Sequence, residues 1–106
     1  MVGKKIKKTA KKQTRVSTLL KDVPQENYFY VCNGKVLKNL KELRDELMQM
    51  DEGTFRYHVN EAKNDFSNWI NDILKNKKLA DDLRRANSPQ EILAIVETRI
   101  KKVIEV

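Results

Sequence analysis

The sequence predicts a mainly α-helical α+β domain, with about four helices around a single core, one small β-hairpin and a basic N-terminal arm. Three observations lead to this fold class. Apolar residues recur at helical spacing in several separate stretches, as they do on the buried face of a helix. A run of strand-forming residues ends at Asn33-Gly34, a dipeptide typical of hairpin turns. The first 21 residues carry eight cations and no acid, which sets them apart from the rest of the chain.

We place the arm at residues 1–25 and one helical domain, the body, at residues 26–106. The cations of the arm are Lys4, Lys5, Lys7, Lys8, Lys11, Lys12, Arg15 and Lys21. The rest of the chain contains the other 14 of the 22 Lys and Arg residues and all 15 Asp and Glu residues, so its net charge is −1. Closely spaced lysines repel one another, and we expect a flexible arm that is disordered or loosely helical. Val16, Leu19 and Leu20 are an exception, because their spacing allows a helical turn that docks on the body.

The hairpin is predicted between Asn27 and Leu37. Residues 28–31 are aromatic or β-branched and favour a strand. Asn33-Gly34 predicts a two-residue type I′ turn, in which both central residues have positive φ. One face of the first strand would carry Tyr28, Tyr30 and Cys32, and the other Phe29 and Val31. The pattern leaves open which of these faces is buried.

Two helices are predicted between Asn39 and Lys75. Asn39 is a suitable N-cap, with Glu42 three residues later as in a capping box. Gly53 ends the first helix, and the second is expected from about Thr54 to Lys75. The predicted core positions are Leu40, Leu43, Leu47 and Met50 in the first helix and Phe66, Trp69, Ile70, Ile73 and Leu74 in the second. An alternative has the second helix stop near Asn60 and a new one start at an N-cap on Asn64.

Two further helices complete the body. The apolar spacing of Leu79, Ala80 and Leu83 marks a third helix that ends near Arg85. Residues 88–91, Ser-Pro-Gln-Glu, form a capping box with proline at the first helical position. The fourth helix then continues to the chain end, with one apolar face formed by Ile92, Val96, Ile100 and Val103.

The composition argues against several classes of protein. Cys32 is the only cysteine, so no internal disulfide can form, and no zinc-ligand spacing surrounds it. No apolar run reaches the roughly 18 residues of a membrane span, and the N-terminus lacks the apolar centre of a secretory signal. We therefore expect a cytoplasmic protein with no cofactor, no metal and no membrane partner, while the oligomeric state is not indicated.

The arm is the strongest functional signal. Lysine side chains neutralise phosphates and release counterions without fixed geometry, so the favoured function is a non-enzymatic accessory protein that binds nucleic acid or ribonucleoprotein. DNA, RNA and the ribosome all fit, and an acidic protein is an alternative partner. Eight engaged cations would give a salt slope of roughly −7 on duplex DNA. The alternatives are a solvated tail without a partner and, from a different class, a protein-interaction module in which the body docks a partner.

A second candidate is a polar cluster around the only histidine. It comprises His58, Asn60, Asn64 and Asp65, with Asn68 and Asp72 on the following turns. Asp65 beside His58 could poise a general base, which would make the protein an enzyme. A lone histidine with scattered carboxylates matches no recognised zinc or nucleophile arrangement, so no catalytic residue is assigned. The favoured interpretation is structural: Asn64 or Asp65 caps a helix and His58 bonds a backbone group.

A third candidate is the aromatic set of Tyr28, Phe29, Tyr30 and Tyr57. Aromatic rings on a small sheet, with Arg56 nearby, could stack on single-stranded bases. No RNA-recognition motif accompanies them, and packing in the core is the favoured interpretation.

The run from Phe29 to Leu83 resembles a small family of prokaryotic domains of uncharacterised function. The residues that carry the resemblance are Asn33-Gly34-Lys35-Val36-Leu37-Lys38-Asn39-Leu40-Lys41-Glu42-Leu43, Phe55-Arg56-Tyr57-His58-Val59-Asn60, Asn64-Asp65-Phe66, Trp69-Ile70 and Leu79-Ala80. The resemblance implies an archaeal or bacterial cytoplasmic setting and supplies no activity, cofactor or catalytic residue. The basic arm lies outside the matching run.

Overall fold

The computed structural model describes residues 19–105, with side chains up to Val103. A 3₁₀ turn at Gln25–Asn27 precedes strands β1 (Phe29–Tyr30) and β2 (Val36–Leu37). Five α-helices follow: α1 (Leu40–Gln49), α2 (Glu52–His58), α3 (Asp65–Asp72), α4 (Lys77–Arg84) and α5 (Pro89–Glu105). The predicted fold class, mainly helical with one small hairpin, is confirmed. None of the helices in the described part has the length and apolarity that crossing a bilayer requires.

A single core joins the elements. α1 packs on α5, and α3 packs on α4. The predicted stripes on α1 and α5 are both buried, as are Phe66, Trp69, Ile70 and Leu74, while Ile73 is half-buried. The largest side chains with no exposed surface are Phe55 and Phe66, and the indole nitrogen of Trp69 donates to the Asn27 carbonyl at 2.8 Å. Trp69 therefore connects the helices to the segment before the hairpin.

The predicted hairpin is present, but its turn differs from the prediction. Phe29 pairs with Leu37 and Tyr30 with Val36. The loop has three residues, 32–34, and is closed by a hydrogen bond from the Val31 amide to the Lys35 carbonyl at 2.9 Å. Of the two residues Asn33 and Gly34, only Gly34 has positive φ, at 97°, so the prediction of a type I′ turn is wrong. Phe29 and Val31 face the core, whereas Tyr30 and Cys32 are exposed.

The prediction of one helix from Thr54 to Lys75 is also wrong, because a turn between His58 and Asp65 interrupts the helix. Val59 and Asn64 form an isolated antiparallel bridge, and the Asn60 amide donates to the Lys63 carbonyl at 2.9 Å. This turn is incompatible with a continuous helical hydrogen-bond ladder. The alternative prediction, with an N-cap at Asn64, is the observed one: its side-chain oxygen accepts the Ser67 N–H at 3.0 Å.

The two predicted N-caps on α1 and α5 are confirmed. Asn39 accepts the Glu42 N–H at 2.9 Å, and Ser88 accepts the Glu91 N–H at 3.1 Å. Both glutamates reach one residue further back than a standard capping box, to the amides at positions 38 and 87. α4 begins two residues earlier than its apolar spacing indicated, because Asn76 caps it.

The segment just before the hairpin is attached to the body. Leu19 is buried in the core, and Val23 packs against it. The Val23 amide donates to the Lys38 carbonyl at 2.8 Å, and the Asn39 side-chain amide donates to Asp22 at 2.7 Å. Val16, the third member of the predicted helical turn, lies outside the described residues.

Candidate functional site

His58 lies at a junction of three segments. The residue is 3% exposed and lies at the C-terminal end of α2. Nε2 lies 3.0 Å from the backbone nitrogen of Cys32 in the hairpin loop, and Nδ1 lies 3.0 Å from a carboxylate oxygen of Asp65 in α3. The ring also packs against Phe29 and Phe66, with ring centres 5.1 and 5.5 Å apart. We call His58, Asp65 and the Cys32 amide the His58 junction.

The hydrogen bonds determine the tautomer of His58. A backbone N–H can only donate, so Nε2 accepts the Cys32 N–H and carries no proton. Nδ1 therefore carries the proton and donates it to Asp65. Both ring nitrogens are engaged, and a general base at Nε2 would first have to release the Cys32 amide. The geometry thus matches the structural interpretation, in which His58 bonds a backbone group.

Asn60 and Asn64 are both held by backbone groups. Asn60 donates to the Arg56 carbonyl at 2.8 Å and accepts the Ala62 N–H at 2.9 Å. Asn64 caps α3 and also donates to the Leu83 carbonyl at 3.1 Å, which attaches the α2–α3 connection to α4. The predicted polar cluster therefore divides: His58 and Asp65 form the junction, while Asn60 and Asn64 shape the surface beside it.

That surface is a groove of about 640 Å³, which we call the Asn groove. It lies between the α2–α3 connection, the outer side of α3 and the α4–α5 connection. Its buried lining residues, Val59 and Ala86, form an apolar floor. The walls carry four side-chain amides and three cations: Asn60, Asn64, Asn68, Asn87, Arg56, Lys63 and Arg84, with Glu61 as the one acid in the lining.

Each cation of the Asn groove shares an exposed ion pair with a neighbouring acid. Arg56 binds Glu52 at 2.9 Å, Lys63 binds Asp65 at 3.0 Å and Arg84 binds Asp81 at 2.7 Å. The hydrogen bond from Lys77, together with the charges of Lys77, Arg84 and Arg85, holds the pKa of Asp81 below its ordinary value despite some burial. Asp81 therefore stays ionised at neutral pH and positions one edge of the Arg84 guanidinium.

The arm residues are largely beyond what the structure describes. Lys4, Lys5, Lys7, Lys8, Lys11, Lys12 and Arg15 lie outside the described residues. Lys21 is described and exposed, and it makes no ion pair with any acid in residues 19–103.

The aromatic set is split between core and surface. Phe29 is buried against His58, Phe66 and Trp69. Tyr30 and Tyr57 are exposed, at 62% and 59%. Tyr57 lies beside the Asn groove: the ammonium of Lys63, a lining residue, is 4.7 Å from the centre of the Tyr57 ring.

Of the amide and cationic residues that line the Asn groove, the sequence did not identify Lys63, Arg84 and Asn87. Arg84 and Asn87 are more than 20 residues from Asn60, and no local pattern links them to it. The bond from Asn64 to the Leu83 carbonyl brings the two stretches together. Within residues 19–103, no group of three His, Cys, Asp or Glu side chains is placed to hold a metal ion.

The model of a family of unknown function, DUF5752, matches residues 22–105. The chain therefore belongs to this family. The match covers the hairpin and all five helices, and it begins directly after Lys21, the last cation of the arm. No curated protein and no solved structure matches the chain.

Proposed function

We propose that this member of the DUF5752 family is a non-enzymatic accessory protein that binds nucleic acid or ribonucleoprotein through its N-terminal cations. One observation carries the proposal: the whole basic excess lies in the first 21 residues, which hold eight cations and no acid, whereas the rest has a net charge of −1. A cationic segment attached to a nearly neutral body favours a polyanionic partner.

The charge distribution on the body supports this division. Five ion pairs join Lys or Arg to acids in residues 19–103. These surface pairs contribute little stability each, but they reduce the positive field of the body. The contacts proposed for the arm are with phosphates and need no base readout, so binding is expected to be independent of sequence and to include DNA, RNA and ribosomal RNA.

The position of His58 supports a non-enzymatic role. Its two nitrogens bind Cys32 and Asp65, and its ring is nearly inaccessible to a substrate. The proposal also includes a reducing cytoplasm, since Cys32 is the only cysteine and its thiol is free and exposed. The prokaryotic setting in the proposal comes from the sequence resemblance alone.

Salt-dependent binding tests the proposal. Anisotropy of a labelled duplex of about 20 base pairs is measured against salt for the full chain and for two variants with four Lys→Gln changes each. One variant changes Lys4, Lys5, Lys7 and Lys8. The matched control changes four exposed body lysines that make no ion pair with a described residue: Lys35, Lys41, Lys78 and Lys101.

Both variants lose the same net charge, so a difference between them reports where the phosphates bind. The arm variant should reduce the magnitude of the salt slope by about 3 to 4, and the body variant by less than about 1. Equal slopes for the two variants, or no binding by the full chain at low salt, would refute the proposed function.

A further inference from the structure

We propose that the Asn groove binds one nucleotide unit, with its base over the Val59–Ala86 floor and its phosphate at Arg56 and Arg84. This inference rests on the proposed function and adds a site on the body to the contacts of the arm. The groove has about 640 Å³, within the roughly 300–1,000 Å³ of small-molecule sites. Its combination of apolar floor, amide walls and guanidinium rim matches the three parts of a nucleotide.

The amides provide the groups that recognise base edges. The side chains of Asn68 and Asn87 line the groove, are exposed, and make no hydrogen bond to another described residue. Each offers an NH₂ donor group beside a carbonyl acceptor, the complement of the mixed donor and acceptor edge of a base. Asn60 and Asn64 are occupied by backbone groups, so they hold the wall in place.

The guanidinium groups provide the phosphate contacts. Arg56 uses Nε for Glu52 and Arg84 uses Nη1 for Asp81, which leaves further N–H donors on both. Exposed ion pairs of this kind are weak, so a phosphate can share or displace the carboxylate. Arginine binds phosphate through two parallel hydrogen bonds, which positions the ligand as well as attracting it.

Tyr57 favours a nucleotide within a single strand over a free one. Tyr57 is 59% exposed, and its ring lies next to Lys63, which lines the groove. An exposed aromatic ring beside a groove stacks on a neighbouring base, and the adjacent ammonium contacts the backbone. A duplex keeps its bases stacked inside and cannot fill the groove in this way.

The test uses the full chain and three probes: a single-stranded oligodeoxyadenylate of about 12 nucleotides, an abasic strand of the same length, and AMP. The two strands carry the same phosphates, so only a site that holds bases distinguishes them. The oligodeoxyadenylate should bind at least about tenfold more tightly than the abasic strand. AMP binding that is measurable and is lost in Arg84→Gln would identify the free nucleotide as the source. Absence of such binding, with the two strands still distinguished, would identify the strand, because the arm contacts the phosphates of both strands equally.

Two neighbouring arginines provide a matched control. Arg84 and Arg85 are both exposed at the end of α4, and only Arg84 lines the Asn groove. Arg84→Gln should weaken oligodeoxyadenylate binding about tenfold and Arg85→Gln about twofold at most. A double variant, Asn68→Ala with Asn87→Ala, should reduce the preference for the strand with bases over the abasic strand. Asn71→Ala, in the same helix as Asn68 but outside the groove lining, should leave this preference unchanged.

The outcomes separate the two proposals. Equal binding of the two strands, together with equal effects of Arg84→Gln and Arg85→Gln, would eliminate the groove site and leave the arm contacts intact. Failure of both strands to bind at low salt would eliminate the proposed function itself. Circular dichroism of each variant confirms that a loss of binding does not come from unfolding.

Discussion

Replacing His58 by alanine should destabilise the domain by about 4 to 5 kcal/mol. The bond from the Cys32 amide contributes about 1 kcal/mol and the bond to the Asp65 carboxylate about 2 kcal/mol. Removal of the ring also leaves a cavity beside Phe29 and Phe66. A residual volume of roughly 60 Å³ adds about 1.5 kcal/mol at about 24 cal/mol per Å³.

A second substitution separates these contributions. His58→Phe fills the space of the imidazole with a slightly larger ring and removes both hydrogen bonds, so it should lose about 3 kcal/mol. The difference between the two variants reports the cavity. Since small domains are stable by about 5 to 15 kcal/mol, the phenylalanine variant also keeps the experiment interpretable if the alanine variant unfolds.

Urea unfolding followed by Trp69 fluorescence measures both losses. Trp69 is the only tryptophan and is 7% exposed in the core, so its emission reports global unfolding. The urea dependence of the unfolding free energy should be unchanged in the variants. A loss below about 1.5 kcal/mol for His58→Phe, or an NMR spectrum with the proton on Nε2, would show that the His58 junction does not form as described.

Three smaller predictions concern single local features. Gly34→Ala should lower the free energy of unfolding by about 1 to 2 kcal/mol, because φ is 97° although no atom lies within 4 Å of the added Cβ. Gly53→Ala, in the first turn of α2, should instead leave this free energy unchanged or raise it by up to about 1 kcal/mol. Urea unfolding measures both. Backbone and side-chain hydrogen bonds from Thr54 hold the pKa of Asp51 below its ordinary value of 3.8. This stabilisation is therefore present above that pH and is lost as the pH falls through the folded-state pKa, so Asp51→Asn should flatten the acid limb of a urea-midpoint profile below about pH 5. Ser67→Ala should cost about 1 kcal/mol in urea unfolding, because the buried hydroxyl donates to an α4 carbonyl at 2.8 Å; an unchanged midpoint would mean that this bond contributes nothing.

Local signals in the sequence determined most of the secondary structure. The N-caps at Asn39 and Ser88 were identifiable because a cap bonds an amide only three residues away. The stripes on α1 and α5 were identifiable because burial repeats with the helical period. The uneven charge is likewise a property of the chain alone, and it remains the basis of the proposed function.

The break between α2 and α3 shows where periodicity fails. Phe55, Val59 and Phe66 keep one apolar seam on both sides of the turn, so a single long helix fitted the pattern equally well. Competing bonds decided the outcome: Val59 bridges Asn64, and the Asn64 amide reaches the Leu83 carbonyl 19 residues away. The turn type at Gly34 was similarly decided by the closing bond between Val31 and Lys35.

The sequence by itself thus determined the starts of α1 and α5, the buried faces of these two helices and the separation of a cationic arm from a nearly neutral body. Only the tertiary structure decided the surroundings of His58, whose Cys32 partner is 26 residues away, and the Asn groove, whose walls come from two distant stretches. The physical reason is the range of the interactions. Caps and helical periodicity act within one or two turns, whereas a hydrogen bond between segments exists only after the core has brought them together.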